Sequence, residues 1–297
     1  MKRFTMLCIV LIFFSALPLY AGDIKVINPK SAFPEGPMWH DGKLFYVEYG
    51  SHKVMTWDGK ENNVFWKMDG CGPSAVVALP SGDFLVTCYD SGSITRISAD
   101  GKTVAKYKKD SQGQTFMGPN DFTVDNKGGV YFTASGPWES EPIVGKIFYM
   151  TPQSEIREVA DDLHYANGLA LSKDGRTLFA AESEAGRVIQ FAVQDNGRLT
   201  DRRLFVRVGQ VDSESGCLAY PDGLKLDSEG NLYIGQYSKG RIVVVSPDKK
   251  LVKTIDVPSP AAPNLNFGPD ENMIYIMAVD DTQNAPYWGK VYGVSNK

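Results

Sequence analysis

Six residues with oxygen-bearing side chains head the copies of a repeated unit. They are Glu35, Ser74, Asn120, Asn167, Asp222 and Asn264, spaced 39, 46, 47, 55 and 42 residues apart. If the repeat brings them to one place, two carboxylates, three amides and a hydroxyl face one small space. Buried carboxylates need a counter-charge, and none of these positions carries Lys or Arg. A divalent cation would supply that charge. Oxygen-only ligation favours a hard ion, calcium first and magnesium or manganese next. Taken singly, each residue has a plainer explanation: Glu35 in Pro34-Glu35-Gly36-Pro37 reads as a turn residue, and Asn167-Gly168 and Asp222-Gly223 are common turn dipeptides. Turn chemistry does not account for their common register.

Other chemistry has no foothold in the chain. The three histidines, His40, His52 and His164, show no paired metal spacing, and neither H-E-x-x-H nor G-x-S-x-G occurs. Gly70-Cys71-Gly72-Pro73-Ser74-Ala75 formally matches a dinucleotide-binding turn, but Pro73 and the strand-like Val76-Val77-Ala78-Leu79 contradict the helix that motif requires. His164, three residues before Asn167, reads as a solvated loop residue that could lie near the site.

The elements that must position the six residues are short strands. Each unit holds three, illustrated by NGLALSKDGRTLFAAESEAGRVIQFAV and DGLKLDSEGNLYIGQYSKGRIVVVS, with Asp174-Gly175, Glu229-Gly230 or Ser81-Gly82 at the turns between them. Fourth strands fall in the linkers: Asn63–Trp66, Val104–Tyr107, Ile156–Val159, Leu204–Val206 and Leu251–Thr254. No window shows sustained helical periodicity. Repeats of ~40–50 residues built from such strands predict an all-β, six-bladed β-propeller; a seven-bladed ring with one cryptic unit is the alternative. The sixth unit runs out of chain before a fourth strand, and Asp23–Ile27 is placed to supply it and close the ring. The Trp57-Asp58 pair does not recur, which excludes a WD40 repeat.

Residues 1–21 read as a secretory signal: Lys2 and Arg3 precede an apolar stretch from Leu7 to Leu17, and Leu19-Tyr20-Ala21 offers a cleavage site. An uncleaved anchor is the alternative. The expected mature protein is one domain over residues 22–297, exported to a periplasm or secreted, with no membrane span after signal removal and monomeric. Loss of Lys2 and Arg3 takes the net charge from −4 to −6, which gives no support to nucleic-acid binding. Cys71, Cys88 and Cys217 remain, so at least one is unpaired; a Cys71–Cys88 bridge is one pairing the sequence allows.

The motifs Pro34-Glu35-Gly36-Pro37-x-Trp39, Pro119-Asn120-Asp121, Ala166-Asn167-Gly168-Leu169 with Ser172-x-Asp174-Gly175, and Pro221-Asp222-Gly223-Leu224 resemble the SMP-30/gluconolactonase family over nearly the whole mature chain. The resemblance implies a six-bladed propeller with one divalent ion in its channel, often calcium, with Mn2+, Mg2+, Fe2+ or Zn2+ as alternatives, and hydrolysis of a small-molecule lactone or related ester. It assigns metal ligation to Glu35, Asn167 and Asp222, and contact with substrate to Asn120. Asp222 is the candidate proton acceptor. Sugar-lactonase members commonly carry Arg where this chain has Gly118, so the resemblance implies weak preference for D-glucono-1,5-lactone. An insertion around Trp138–Pro142 and the Gly209–Tyr220 linker are candidates for a lid or rim that sets specificity. The competing readings are a non-enzymatic ligand- or protein-binding propeller and a strictosidine-synthase-like propeller.

Overall fold

The computed structural model describes residues 24–138, 141–217 and 219–296; the predicted signal segment and its cleavage site lie outside the described residues. Each unit folds as an antiparallel meander. In the fourth, Ala166–Leu171, Thr177–Glu182, Arg187–Val193 and Leu199–Arg207 pair in sequence order. The sequence dictates this locally. At the first turn Ser172 Oγ donates to Asp174 Oδ1 at 2.6 Å, and Gly175 takes a φ of +70°, a left-handed conformation open to glycine without strain. All five linker segments expected to be strands lie in fourth strands, such as Asn62–Lys67 and Leu251–Asp256.

The result is an all-β, propeller-like fold. Its sheet count differs from six separate sheets. Units one to four are each a four-stranded sheet, but the fifth and sixth share one eight-stranded sheet. A single pair, Gln236 with Ala262, links Leu232–Gln236 to Ala261–Phe267 and merges two four-stranded meanders. The N-terminal strand is longer than expected, Lys25–Ala32, and pairs antiparallel with Trp288–Ser295.

Apolar side chains fill the spaces between neighbouring units. Phe45, Val54, Val76 and Val86 join the first to the second, and Ala170, Val188, Leu224 and Ile234 join the fourth to the fifth. Ile27, Leu44, Trp57, Tyr275 and Met277 join the last unit to the first. The core is therefore a cycle of interfaces between sheets, and the first strands of the units face one another around the middle. Among the described residues no helix is long and apolar enough to cross a membrane.

Candidate functional site

Every first strand is irregular close to its repeat-heading residue. Pairing with the second strand shifts between Glu35 and Met38, between Pro119 and Phe122, between Ala166 and Leu169, and between Pro221 and Leu224. Bulges of this kind re-aim side chains and are frequent beside active sites. Asn167-Gly168 and Asp222-Gly223 are therefore not turns, as the dipeptides alone suggested. They lie inside the strands Ala166–Leu171 and Pro221–Leu226. Their glycines serve close approach instead: a Cβ on Gly168 would collide with the Asp222 carbonyl, and one on Gly223 with the Asn264 amide.

Hydroxyls of one unit hold the backbone of the next. Thr87 Oγ1 donates to the Asn120 carbonyl at 2.8 Å, Thr133 Oγ1 to the Asn167 carbonyl at 2.8 Å, and Ser183 Oγ to the Pro221 carbonyl at 2.7 Å. Thr87 and Thr133 each follow their unit's heading residue by 13 positions, a register the sequence displays. Asp121 is a further residue missed by sequence reasoning. It is buried, and its carboxylate accepts the amides of Phe122 at 2.8 Å and Leu169 at 3.0 Å, tying the third unit to the fourth.

These constraints bring Glu35, Ser74, Asn120, Asn167 and Asp222 to the floor of one cavity of about 420 Å3. Asn264 lies against that floor: its amide donates to Glu35 Oε2 at 2.8 Å, an oxygen that also accepts the Gly36 amide at 2.5 Å. Glu35 Oε1 is buried with no hydrogen-bond partner. Burial pushes the Glu35 carboxyl up to about 8, against the Gly36 and Asn264 hydrogen bonds that favour its anion; the Asp121 charge adds to the rise. Asp222 is pushed well above the usual carboxylate range by burial and then by the Glu35 and Asp121 charges, while a hydrogen bond from Asn167 opposes the shift. Lys225, three residues further along the Asp222 strand, pulls weakly the other way on both; among the described residues no Lys or Arg lines the cavity itself.

This donor set fits a hard divalent cation. An unpartnered carboxylate oxygen, a second carboxylate destabilised by the first, and amide oxygens are what such an ion takes as ligands, and its charge would remove the penalty on both acids. Among the described residues no three His, Cys, Asp or Glu side chains gather as a metal cluster; the candidate set has two carboxylates and must complete itself with amides. Calcium, the expected ion, matches that chemistry, as do magnesium and manganese.

Residues 33–280 match the family described as SMP-30/Gluconolactonase/LRE-like region. The chain belongs to this family. Regucalcin of Gallus gallus is 26% identical over 258 residues, 83% of each chain. Lactonase drp35 of Staphylococcus aureus (strain MW2) is 26% identical over 276 residues, 89% of this chain and 74% of that protein. Among solved structures, the gluconolactonase XC5397 of Xanthomonas campestris superposes with a TM-score of 0.76 at 22% identity, covering 95% of this chain and 92% of the other; the likeness is one of fold.

Against the family pattern, Gly118 has a structural reason. Its φ is +61°, and a Cβ there would meet the Tyr89 ring at 2.7 Å. The Tyr89 ring occupies the space a longer side chain at this position would need. His164 is not at the site; it lines a separate, shallow depression with Arg187 and Arg202. The Gly209–Tyr220 linker is pinned rather than lid-like, since Asp212 and Glu214 both pair with Arg241, at 3.1 and 2.9 Å. Of the Trp138 insertion, residues 139–140 lie outside the described residues, and Trp138 itself lines the cavity. Cys71 and Cys88 form a disulfide, and Cys217 is free and exposed.

Proposed function

We propose that this chain hydrolyses a lactone or related cyclic ester, using a divalent cation held by Glu35, Asn167 and Asp222. The observation that carries the reading is the cavity floor: two buried carboxylates raised in pKa, one with an unpartnered oxygen, beside two amides. Named lactonases among the relatives support the same reaction class. A ligand-binding propeller without chemistry has no need of two mutually destabilising acids in its channel.

When bound, a cation at this floor acts as a Lewis acid on the ring carbonyl and favours negative charge developing on its oxygen. The rest is done by the chain. Asp222, ionised once its charge is balanced, takes the proton of the attacking water on a carboxylate oxygen and returns it to the alkoxide oxygen released as the ring C–O bond breaks. Asn120, on the cavity floor, orients the substrate through its side-chain amide. The Asn167 hydrogen bond holds the Asp222 carboxylate in place. Glu35 is held by Asn264 and Gly36 with one oxygen free to ligate.

The same reading takes residues 22–297 as one six-bladed domain closed by the N-terminal strand. Its supports are the pairing of Lys25–Ala32 with Trp288–Ser295 and the apolar interface between last and first units. It takes the protein as an exported monomer, periplasmic or secreted; the Cys71–Cys88 disulfide fits an oxidising compartment. Gly118, shielded by Tyr89, argues for weak preference for D-glucono-1,5-lactone. A pH-stat assay over aldonolactones, aliphatic lactones and aryl esters tests the reaction. Lactone opening should vanish with chelator and return with calcium, manganese or magnesium. Turnover that survives both chelator and Asp222→Asn would place the chemistry elsewhere.

A further inference from the structure

Above the polar floor the cavity wall is a closed circuit of aromatic rings. Trp138 packs on Tyr165 with centroids 4.5 Å apart, and the Tyr165 hydroxyl lies 3.2 Å from that of Tyr89. Tyr89 meets Tyr49 at 6.4 Å, Tyr49 meets Phe33 at 5.5 Å, Phe33 meets Tyr237 at 5.9 Å, and Tyr237 returns to Trp138 at 5.9 Å. The six come from separate loops of the units, and each ring packs edge-on to a neighbour in the geometry aromatic pairs favour.

The backbone supports a role for this collar beyond filling space. Phe33, Tyr165 and Tyr220 stand two residues before Glu35, Asn167 and Asp222, with φ values of 53°, 56° and 36°. Gly72 and Gly118, two residues before Ser74 and Asn120, have 54° and 61°. Five of the six units thus place a left-handed residue at this register, the exception being Ala262 before Asn264. Glycine adopts that conformation without strain, yet aromatic residues stand at three of these places: Phe33 and Tyr165 of the collar, and Tyr220, which packs on Trp138 at 5.4 Å. Strain kept at the rim of a site points to a use for the side chain.

Three of the collar's four tyrosine hydroxyls are already committed. Tyr49 donates to Asp90 at 2.8 Å, Tyr89 to the Gly136 carbonyl at 2.7 Å, and Tyr165 to Tyr89. What the collar offers is mainly ring faces and edges, with the Tyr237 hydroxyl, and Tyr287, Thr282 and Gln283 beside it, as the polar exceptions. A volume of about 420 Å3 lies within the ~300–1,000 Å3 of small-molecule sites.

We propose that the substrate is a lactone or ester bearing an aromatic or bulky apolar substituent, clasped by this collar while its carbonyl reaches the floor. The inference rests on the hydrolytic reading above and goes beyond it in naming what surrounds the reacting group. The test compares γ-butyrolactones carrying a γ-methyl or a γ-phenyl group, with D-glucono-1,5-lactone as the polyol. Binding of the γ-phenyl lactam, which keeps the shape but resists hydrolysis, is followed by tryptophan fluorescence. On cation-loaded protein, kcat/KM for the phenyl compound should exceed that for the methyl compound by at least ~10-fold, the scale of burying one aromatic ring. Trp138→Ala and Tyr237→Ala should each reduce that ratio, while Tyr237→Phe should keep it. A ratio near one, a preference for the gluconolactone, or a ratio untouched by both alanine variants would overturn the proposal and leave lactone hydrolysis standing. Lactam binding that depends on Trp138 and Tyr237, without turnover of any lactone, would support the collar and remove the hydrolytic reading. Neither binding nor turnover would overturn both.

Discussion

Protein freed of cations by chelation should lose stability as the pH rises from about 5 to about 8, the reverse of the usual behaviour of paired carboxylates. Glu35 carries the effect. Its carboxyl titrates at 4.5 when unperturbed and at about 8 in the fold. Between those values the folded chain holds a proton that the unfolded chain has released, so stability is fully present below the lower value and falls as pH climbs to the higher. At ~1.4 kcal/mol per pH unit, the interval from 4.5 to about 8 corresponds to roughly 5 kcal/mol. That is a large part of the ~5–15 kcal/mol that holds a typical domain. Asp222 acts in the same direction, since it too is raised well above its ordinary value. A bound divalent cation replaces the protons, so it should flatten the profile and release protons on binding near neutrality. The assay is urea denaturation at about pH 5.5, 7 and 8.5, with chelator or with calcium, alongside calorimetry in buffers of different ionisation enthalpy. Glu35→Gln should reduce the slope, leaving the part that burial of Asp222 contributes. Cation-free protein whose stability is flat or rising over this range, or a Glu35→Gln variant that keeps the full slope, would refute the reasoning.

Asp222→Asn should abolish turnover, because it removes the proton acceptor and half of the charge that balances the cation; initial rates on cation-loaded protein check it. Asn120→Ala should leave the melting temperature near that of the unmodified protein and lower kcat/KM by up to ~100-fold through misplacement of substrate, which steady-state kinetics would read. Gly223→Ala should destabilise by about 2 kcal/mol or more, since its Cβ would meet the Asn264 amide that holds Glu35; denaturant midpoints report it, and an unchanged midpoint would show that the first strands have room to spare. Deleting residues 25–30 should lower the melting temperature sharply by stripping the partner from Trp288–Ser295; unchanged melting would end the ring-closure reading.

Much of this molecule is legible along the chain because the signals are local. Strand formers broken by Asp-Gly and Glu-Gly turns mark the meanders, and the fourth strands expected in the linkers are where the structure has them. The register of Glu35, Ser74, Asn120, Asn167 and Asp222 predicts their meeting in one cavity, because repeats that share one backbone path deliver equivalent residues to equivalent places. What the tertiary structure alone decided depends on how neighbouring units touch. Local composition reads Asn167-Gly168 and Asp222-Gly223 as turns, yet they are bulged strand residues whose glycines let adjacent first strands approach. The hydrogen bond between Asn264 and Glu35 spans 229 residues of chain, so no window of sequence contains it. The Cys71–Cys88 pairing, the Thr87 and Thr133 tethers across units, and the aromatic collar gathered from separate loops are of the same kind. Alternation and turn chemistry act within a few residues, whereas which side chains face one another across the channel is set by packing between sheets that are distant in sequence.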